Sequence, residues 1–380
     1  MKRIGKEVAF LHTSAENSRN GEGSFLRLKD GSIMYAYTEY LGNDRADHAS
    51  ARISACFSCD DGESFGAPRV LIEKDGNAEN IMSVSLVRLV DGGIGIIYLR
   101  KEKMADGGIV CMPVFRRSDD EGKSFGEPCF CTDKEGYYCV INDGVIVQKS
   151  GRILVPLAYH GLRFDAYGIC TLDLGKKGGT VRFVYSDDSG KSWHDMPTKI
   201  RSEYDDVTGF AEPGVYEYEN GELWMWCRTS YGFQYQSRSL DGGSTWSTPS
   251  PHLCFSSPDA PMRVKRVGKY TVAVFNPVPY NAFSDSREAW GSPKRTPLVC
   301  AVSDNDGRSF DMPGERSVNR ELANFAECLY LLEDDRAESY CYPAITETKD
   351  GFLVAYYHSA GSEDCLNCTK ITKILYSELE

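Results

Sequence analysis

The stretch "SDDSGKSW", Ser186–Trp193, sets a serine, acids, a glycine and a closing aromatic into eight residues, and four close copies of it occur elsewhere in the chain. They are "SCDDGESF" from Ser58, "SDDEGKSF" from Ser118, "SLDGGSTW" from Ser239 and "SDNDGRSF" from Ser303. Their third positions, Asp60, Asp120, Asp188, Asp241 and Asn305, lie 60, 68, 53 and 64 residues apart. A fixed turn at an irregular spacing of about 50 to 70 residues marks a repeat array, whose units bury their apolar faces only against one another. In each copy the acid can accept backbone N–H bonds, the glycine takes a conformation that strains other residues, and the aromatic anchors the turn. Turn bonding of this kind accounts for the box carboxylates without catalysis, so the chemistry is expected elsewhere.

A second feature recurs six times: a glycine-bearing turn followed by an apolar, aromatic strand. The copies are "LRLKDGSIMYAYTEY", "VRLVDGGIGIIYLRKE", "VIVQKSGRILVPLAYHG", "VYEYENGELWMWCRTS", "RVKRVGKYTVAVFNPV" and "ITETKDGFLVAYYHSA". Pairs such as Asp30-Gly31, Asp91-Gly92, Asn220-Gly221 and Asp350-Gly351 supply the positive φ that tight hairpins need. Runs such as "LWMWC" and "FLVAYY" suit strands buried on both faces. The first five hairpins are each followed by a box, so a unit reads as hairpin, third strand, boxed turn and fourth strand. The predicted fold is all-β, a single six-bladed β-propeller over residues 1–380 with five boxed turns. The last segment, "TKITKILYSELE", has no box and is read as the closing outer strand; "NRELANFAECLYLLEDD", from Asn319, fits helix or strand.

With 380 residues, 41% of them hydrophobic, the chain can bury a large core. Its formal net charge of -12 argues against nucleic acid and anionic membrane as partners, since both need a basic footprint. No stretch approaches 18 uninterrupted apolar residues, and Lys6, Glu7 and His12 break the N-terminal segment, so a cytoplasmic location is expected. The fourteen cysteines are accordingly read as free, mostly buried thiols. Cys56/Cys59 and Cys365/Cys368 have the spacing of zinc ligands, but "RISACFSC" reads as a strand, where residues three apart face opposite sides. No nucleotide fingerprint, phosphate loop, His-Glu-x-x-His or EF-hand spacing occurs, and no cofactor is expected. Oligomeric state is not legible.

The serine, the aspartate two residues on, the glycine two beyond it and the closing aromatic resemble the Asp-box of bacterial-type sialidases (neuraminidases). Together with six hairpins this resemblance covers essentially the whole chain. The box also decorates other propeller enzymes and binding proteins, so function needs its own argument.

Sialidase-like enzymes hold the substrate carboxylate with an arginine triad, protonate the leaving group with an aspartate, and attack with a tyrosine activated by a glutamate. "FAEPGVYEYENGELWMWCRTSYGFQYQSRSLDGGSTW" resembles the segment carrying that glutamate and the second arginine, which implies Glu212 and Arg228. "KRTPLVCAVSDNDG" resembles the third-arginine segment and implies Arg295; "YCYPAITETKDGFLVAYYH" resembles the tyrosine segment and implies Tyr342, with Tyr340 as understudy. Blade one departs from the pattern. Its "NSRNGEGSFLRLKDG" puts Gly21 where the first arginine belongs, with Glu22 beside it and Arg19 two residues earlier. In the loop "LGNDRADHASARISACFS", Asp47 is the implied acid, Asp44 second and His48 its neighbour, and partial burial is expected to raise the pKa of Asp47. Resemblance to a sialidase-like branch adds Asn80, Asn142, Asp143 and His160 as lining of the central mouth.

Plainer readings exist for each residue. Glu212 before Pro213 can simply open a strand, Arg228 can pair with a surplus acid, Tyr342 can pack, and Asn142-Asp143 can be a turn. Two other functions fit the same residues: an Asp47/Glu212 carboxylate pair acting on a neutral or uronic sugar, or a non-catalytic glycan-binding propeller using Trp226, Tyr231, Phe233, Tyr235, Tyr280 and Trp290. Under every reading the partner is a glycan.

Overall fold

Among the described residues strand follows strand from Lys2 to Leu375, and a short 3-10 turn follows at Tyr376–Leu379. The computed structural model describes residues 1–162, 178–203, 208–279, 295–310, 329–361 and 366–380. Tyr280, Trp290, Cys365 and most of the segment from Asn319 lie outside the described residues; the end of that segment, Leu329–Glu333, is a strand.

The strands sort into six antiparallel sheets. Blade one is Asn17–Arg27, Ile33–Leu41, Ala51–Ser58 and Arg69–Ile72; blade two is Ala78–Arg88, Ile94–Lys103, Ile109–Ser118 and Cys129–Phe130. Blade three centres on Ile153–Tyr159 and Thr180–Ser186, and blade four is Ala211–Glu217, Leu223–Arg228, Phe233–Ser239 and Ser250–Ser256. Blade five runs Arg263–Val267, Tyr270–Phe275, Leu298–Ser303 and Leu329–Glu333, with Lys2–Arg3 added in parallel at its edge. Blade six holds Tyr340–Glu347, Gly351–His358 and Cys368–Leu375.

Closure differs from the sequence expectation. "TKITKILYSELE" contributes the third strand of blade six, and the outer strand is Lys6–Leu11 from the other end of the chain, antiparallel to Cys368–Leu375. One blade is thus built from both termini. Closure covers what would otherwise be an open sheet edge.

Boxes sit between third and fourth strands and bond as turn chemistry requires. In the first, Ser58 Oγ donates to Asp60 (2.7 Å) and accepts from Gly62 N (2.8 Å), while Asp60 also accepts Ser64 N (3.0 Å). The aromatic does more than anchor its own turn. Apolar side chains form six clusters, one at each junction between blades, and Phe65, Phe125, Trp193, Trp246 and Phe310 each join the cluster shared with the preceding blade. The junction of blades five and six has no box aromatic and uses Ile4, Tyr376 and Leu379 from the chain ends. Cys56 is buried in its strand and Cys59 exposed just beyond it, so the two do not share a face.

Candidate active site

The innermost strand of a blade must present polar groups at the ring's mouth while its neighbours pack inside. A bulge solves this by adding one unpaired residue and re-aiming its side chain. Pairing slips between Gly21 and Ser24, Met82 and Ser85, Ala211 and Gly214, and Cys341 and Ala344. Within the slips Glu22, Ser83, Glu212 and Tyr342 adopt positive φ (51°, 59°, 46° and 55°), as does Asp143 (55°) in blade three. Such a backbone is costly for non-glycine residues and concentrates at functional sites. Glu22, Ser83, Asn142, Glu212, Asp259 and Tyr342 each stand nine residues before their blade's hairpin glycine: Gly31, Gly92, Gly151, Gly221, Gly268 and Gly351. Every blade sends one polar spoke to the mouth from the same place.

Three spokes and two arginines form one cluster. Tyr342 donates its hydroxyl to Glu212 Oε1 at 2.6 Å, although the two belong to non-adjacent blades six and four. Arg228 Nη1 lies 3.0 Å from Glu212 Oε2 and 3.2 Å from the Tyr342 oxygen, and its Nε meets Asp259 Oδ1 at 2.5 Å. Arg295 completes the group, with its guanidinium carbon 5.7 Å from the centre of the Tyr342 ring, Nη2 on Asp259 O (2.9 Å) and Nη1 on Cys341 Sγ (3.0 Å). Burial and the Glu212 carboxylate push the Tyr342 phenol well up, against the pull of Arg228 and Arg295. At neutral pH the phenol is therefore protonated, with a carboxylate in place to take its proton.

Blade one brings a guanidinium after all. A Cβ at Gly21 would fall 1.9 Å from the Tyr357 ring, so no side chain fits there, and Arg19 reaches in instead. It donates to the Tyr357 hydroxyl (2.9 Å), Glu22 Oε1 (3.1 Å) and Asp47 Oδ1 (2.6 Å). Tyr357 in turn meets the Tyr342 ring edge-on at 5.9 Å, which joins this group to the first. Glu22 also accepts from Ser83, and burial raises its pKa despite Arg19.

Asp47 departs from the sequence expectation. Its side chain is 65% exposed, and Lys101 Nζ caps its carbonyl at 2.5 Å. What desolvation it suffers raises its pKa, but Arg19 and Lys101 more than offset this and hold the carboxyl well below its ordinary range. Burial was the expected influence; the adjacent cations win. Its neighbour His48 lies edge-on to Tyr137 at 6.2 Å. Asp44 accepts from Ala46 N (2.9 Å), within its own loop.

The other residues divide. Asn142 Nδ2 donates to Gly23 O (2.8 Å) and Tyr342 O (3.3 Å), tying the tyrosine bulge to blade one. His160 stands near Glu212 and Arg228, and burial lowers its pKa to about 4, so it is neutral. Asn80 is buried and bonds Ala49 O, serving the Asp47 loop. Five residues sit elsewhere. Trp226 is 0% exposed, its ring packed in the junction of blades four and five with Nε1 on Met262 O (2.9 Å). Tyr340, 2% exposed, packs in the junction of blades five and six. Asp143 turns inward along the axis. Tyr231 and Tyr235 pack against the junction of blades three and four. Asp259, Ser83 and Tyr357 were not singled out from sequence, although the nine-residue spacing marks the first two.

Residues 103–355 match the BNR repeat-like domain family. The chain belongs to that family. Over 146 residues, 36% of its length, this BNR protein is 32% identical to the anhydrosialidase of Macrobdella decora, and the match spans only 16% of that relative. Its fold superposes on a Dyadobacter fermentans protein of unknown function with TM-score 0.68 at 18% identity, covering 97% of this chain and 99% of the other. It superposes equally on the NanB sialidase of Streptococcus pneumoniae, with TM-score 0.69 at 12% identity, covering 100% of this chain and 71% of that one. The architecture is a six-bladed propeller, a fold the chain shares with the NanB sialidase.

Proposed function

We propose that this BNR propeller is an exo-acting glycoside hydrolase that releases a terminal acidic sugar, sialic acid first, with retention of configuration. The observation that carries the reading is the 2.6 Å bond from Tyr342 to Glu212, made under two guanidinium groups at the mouth of the ring. The names of the anhydrosialidase and sialidase relatives support it.

In this mechanism the sugar carboxylate engages Arg295 and Arg228. Tyr342 attacks the anomeric carbon while Glu212 takes the phenolic proton, and the aglycone oxygen receives a proton from Asp47. A neutral phenol avoids the repulsion that a carboxylate nucleophile meets at a centre already bearing a carboxylate. Water then displaces the tyrosine, with Asp47 as base and the Glu212 proton returned to the phenol oxygen. Two inversions give net retention.

A second reading, cleavage of a neutral or uronic sugar by the Asp47/Glu212 pair, is favoured by the occupancy of the arginines. Arg19 is held by Glu22 and Asp47, and Arg228 by Glu212 and Asp259, which leaves Arg295 as the guanidinium of this group without a carboxylate partner among the described residues. A panel of fluorogenic terminal glycosides, sialosides included, separates these readings and a purely glycan-binding role. We expect hydrolysis of an acidic glycoside, and a loss of about 100-fold or more in kcat for Tyr342→Phe and for Glu212→Gln. Unchanged turnover in both variants on a cleaved substrate would overturn the proposal.

A further inference from the structure

Below the mouth the axis is crossed by Asp143. Its carboxylate accepts from Ser24 Oγ of blade one (2.8 Å), Lys265 Nζ of blade five (2.8 and 2.9 Å) and Ile345 N of blade six (3.1 Å). None of these blades adjoins blade three, so the bonds span the centre of the ring. Farther along, the innermost strands line a cavity of about 410 Å³ whose charged residues are Arg27, Arg88, Arg263, Lys265 and Arg266 against Glu217 alone. Such a concentration of cations stands out in a chain of net charge -12.

The rim cations are accounted for. Arg27 pairs with Asp61 at 2.8 Å, Arg88 with Glu121 at 2.7 Å, and Arg266 with Glu219 and Asp306. The two inner cations share one acid. Lys265 takes both oxygens of Asp143, and Arg263 comes no closer to that carboxylate than 3.7 Å. Arg263 is 1% exposed, and its Nε and Nη1 have no hydrogen-bond partner among the described residues. Asp143 is buried and already holds the partly exposed Lys265, which leaves the charge of the buried Arg263 without a directly bonded anion among the described residues. A guanidinium in that state is strongly unfavourable unless something binds it.

We propose that the axial cavity beneath Asp143 binds a small inorganic anion against Arg263. The site is separate from the sugar-binding mouth and tightens the ring by joining blade five to the axis. One negative charge balances the two cations and Asp143, and the unused guanidinium N–H groups supply charge-assisted donors. Lys265 adds a second cation beside the anion through Coulomb attraction.

Bromide is the probe. In a crystal grown or soaked in sodium bromide, an anomalous peak is expected on the axis within hydrogen-bond range of the Arg263 guanidinium. In solution, replacing gluconate by bromide at constant ionic strength should raise the wild-type melting temperature by about 2 °C or more, saturably. Arg263→Met should remove that rise. Should this variant not fold, Lys265→Met serves in its place, with an expected increase of about tenfold in the half-saturating bromide concentration. Water alone at the position, a melting temperature indifferent to bromide, or the same bromide response in wild type and the variant used would each overturn the proposal.

Discussion

Arg19 Nη1 lies 2.6 Å from Asp47 Oδ1, so the residue proposed to donate a proton is held as an anion in the free protein. Removing the cation raises the carboxyl's pKa, and the protonated form then survives to higher pH. Arg19→Met should therefore move the alkaline limb of the kcat/KM profile toward higher pH. A limb that stays in place or moves toward acid would remove Asp47 from the role of acid.

Tyr342 and Glu212 act on one proton and should behave as a unit. Each single substitution, Tyr342→Phe or Glu212→Gln, is expected to lower kcat by about 100-fold or more, and the double variant little further. Multiplicative losses, measured with melting curves matching wild type, would show that the two groups act separately.

Among the described residues the Arg295 guanidinium is bound through a thiol and a backbone carbonyl, so it is the guanidinium most available to a sugar carboxylate. For Arg295→Met, KM on an acidic glycoside should rise by about tenfold or more, with a smaller effect on a neutral analogue. Equal effects on both would favour the neutral-sugar reading.

Box aspartates should govern stability and its acid limb without touching turnover. Asp241 accepts from Ser239 Oγ (2.8 Å), Thr245 N (2.9 Å) and Thr245 Oγ1 (2.6 Å), and Asp241→Ala should lower the melting temperature by about 2–4 °C with kcat unchanged. The hydroxyl of Thr245 foremost holds the Asp241 carboxyl at about 2, and that of Ser64 does the same for Asp60. Folded pKa values below the unfolded ones mean that this stabilisation is complete above about pH 4 and is lost as pH falls through about 2. Melting temperature against pH should decline across that window, less steeply in Asp241→Ala.

Trp246 stacks on Phe183 of the preceding blade, with ring centres 4.7 Å apart and planes 7° off parallel. Trp246→Ala should destabilise the ring by about 3 kcal/mol, read in denaturant melts, whereas Leu240→Ala in the same turn, at an 83% exposed side chain, should be neutral.

The architecture was readable because turns and strands are local. Asp60 and Gly62 announce their turn within four residues, and "FLVAYY" announces a doubly buried strand. Tyr342 and Glu212 are 130 residues apart, and nothing local says that they touch; only resemblance joined them. Trp226 and Tyr340 were misjudged because aromatics serve packing and recognition alike, and the strand position that separates the two uses is a property of the assembled sheet. Arg19 shows the converse, since the fixed motif position, Gly21, is closed by Tyr357 and the guanidinium comes from an offset that no pattern encodes. Closure by Lys6–Leu11 was hidden for the same reason: edge pairing between the two ends of a chain leaves no mark in either.

The nine-residue register makes the mouth a six-slot chuck with one jaw from each blade, four of them kinked residues borne on an inner strand. Glutamate, serine, asparagine, glutamate, aspartate and tyrosine fill the slots here, and none of the six belongs to the apolar clusters packed between the blades. Reprogramming such a protein for another sugar would begin with six codons, leaving the rest of the scaffold untouched.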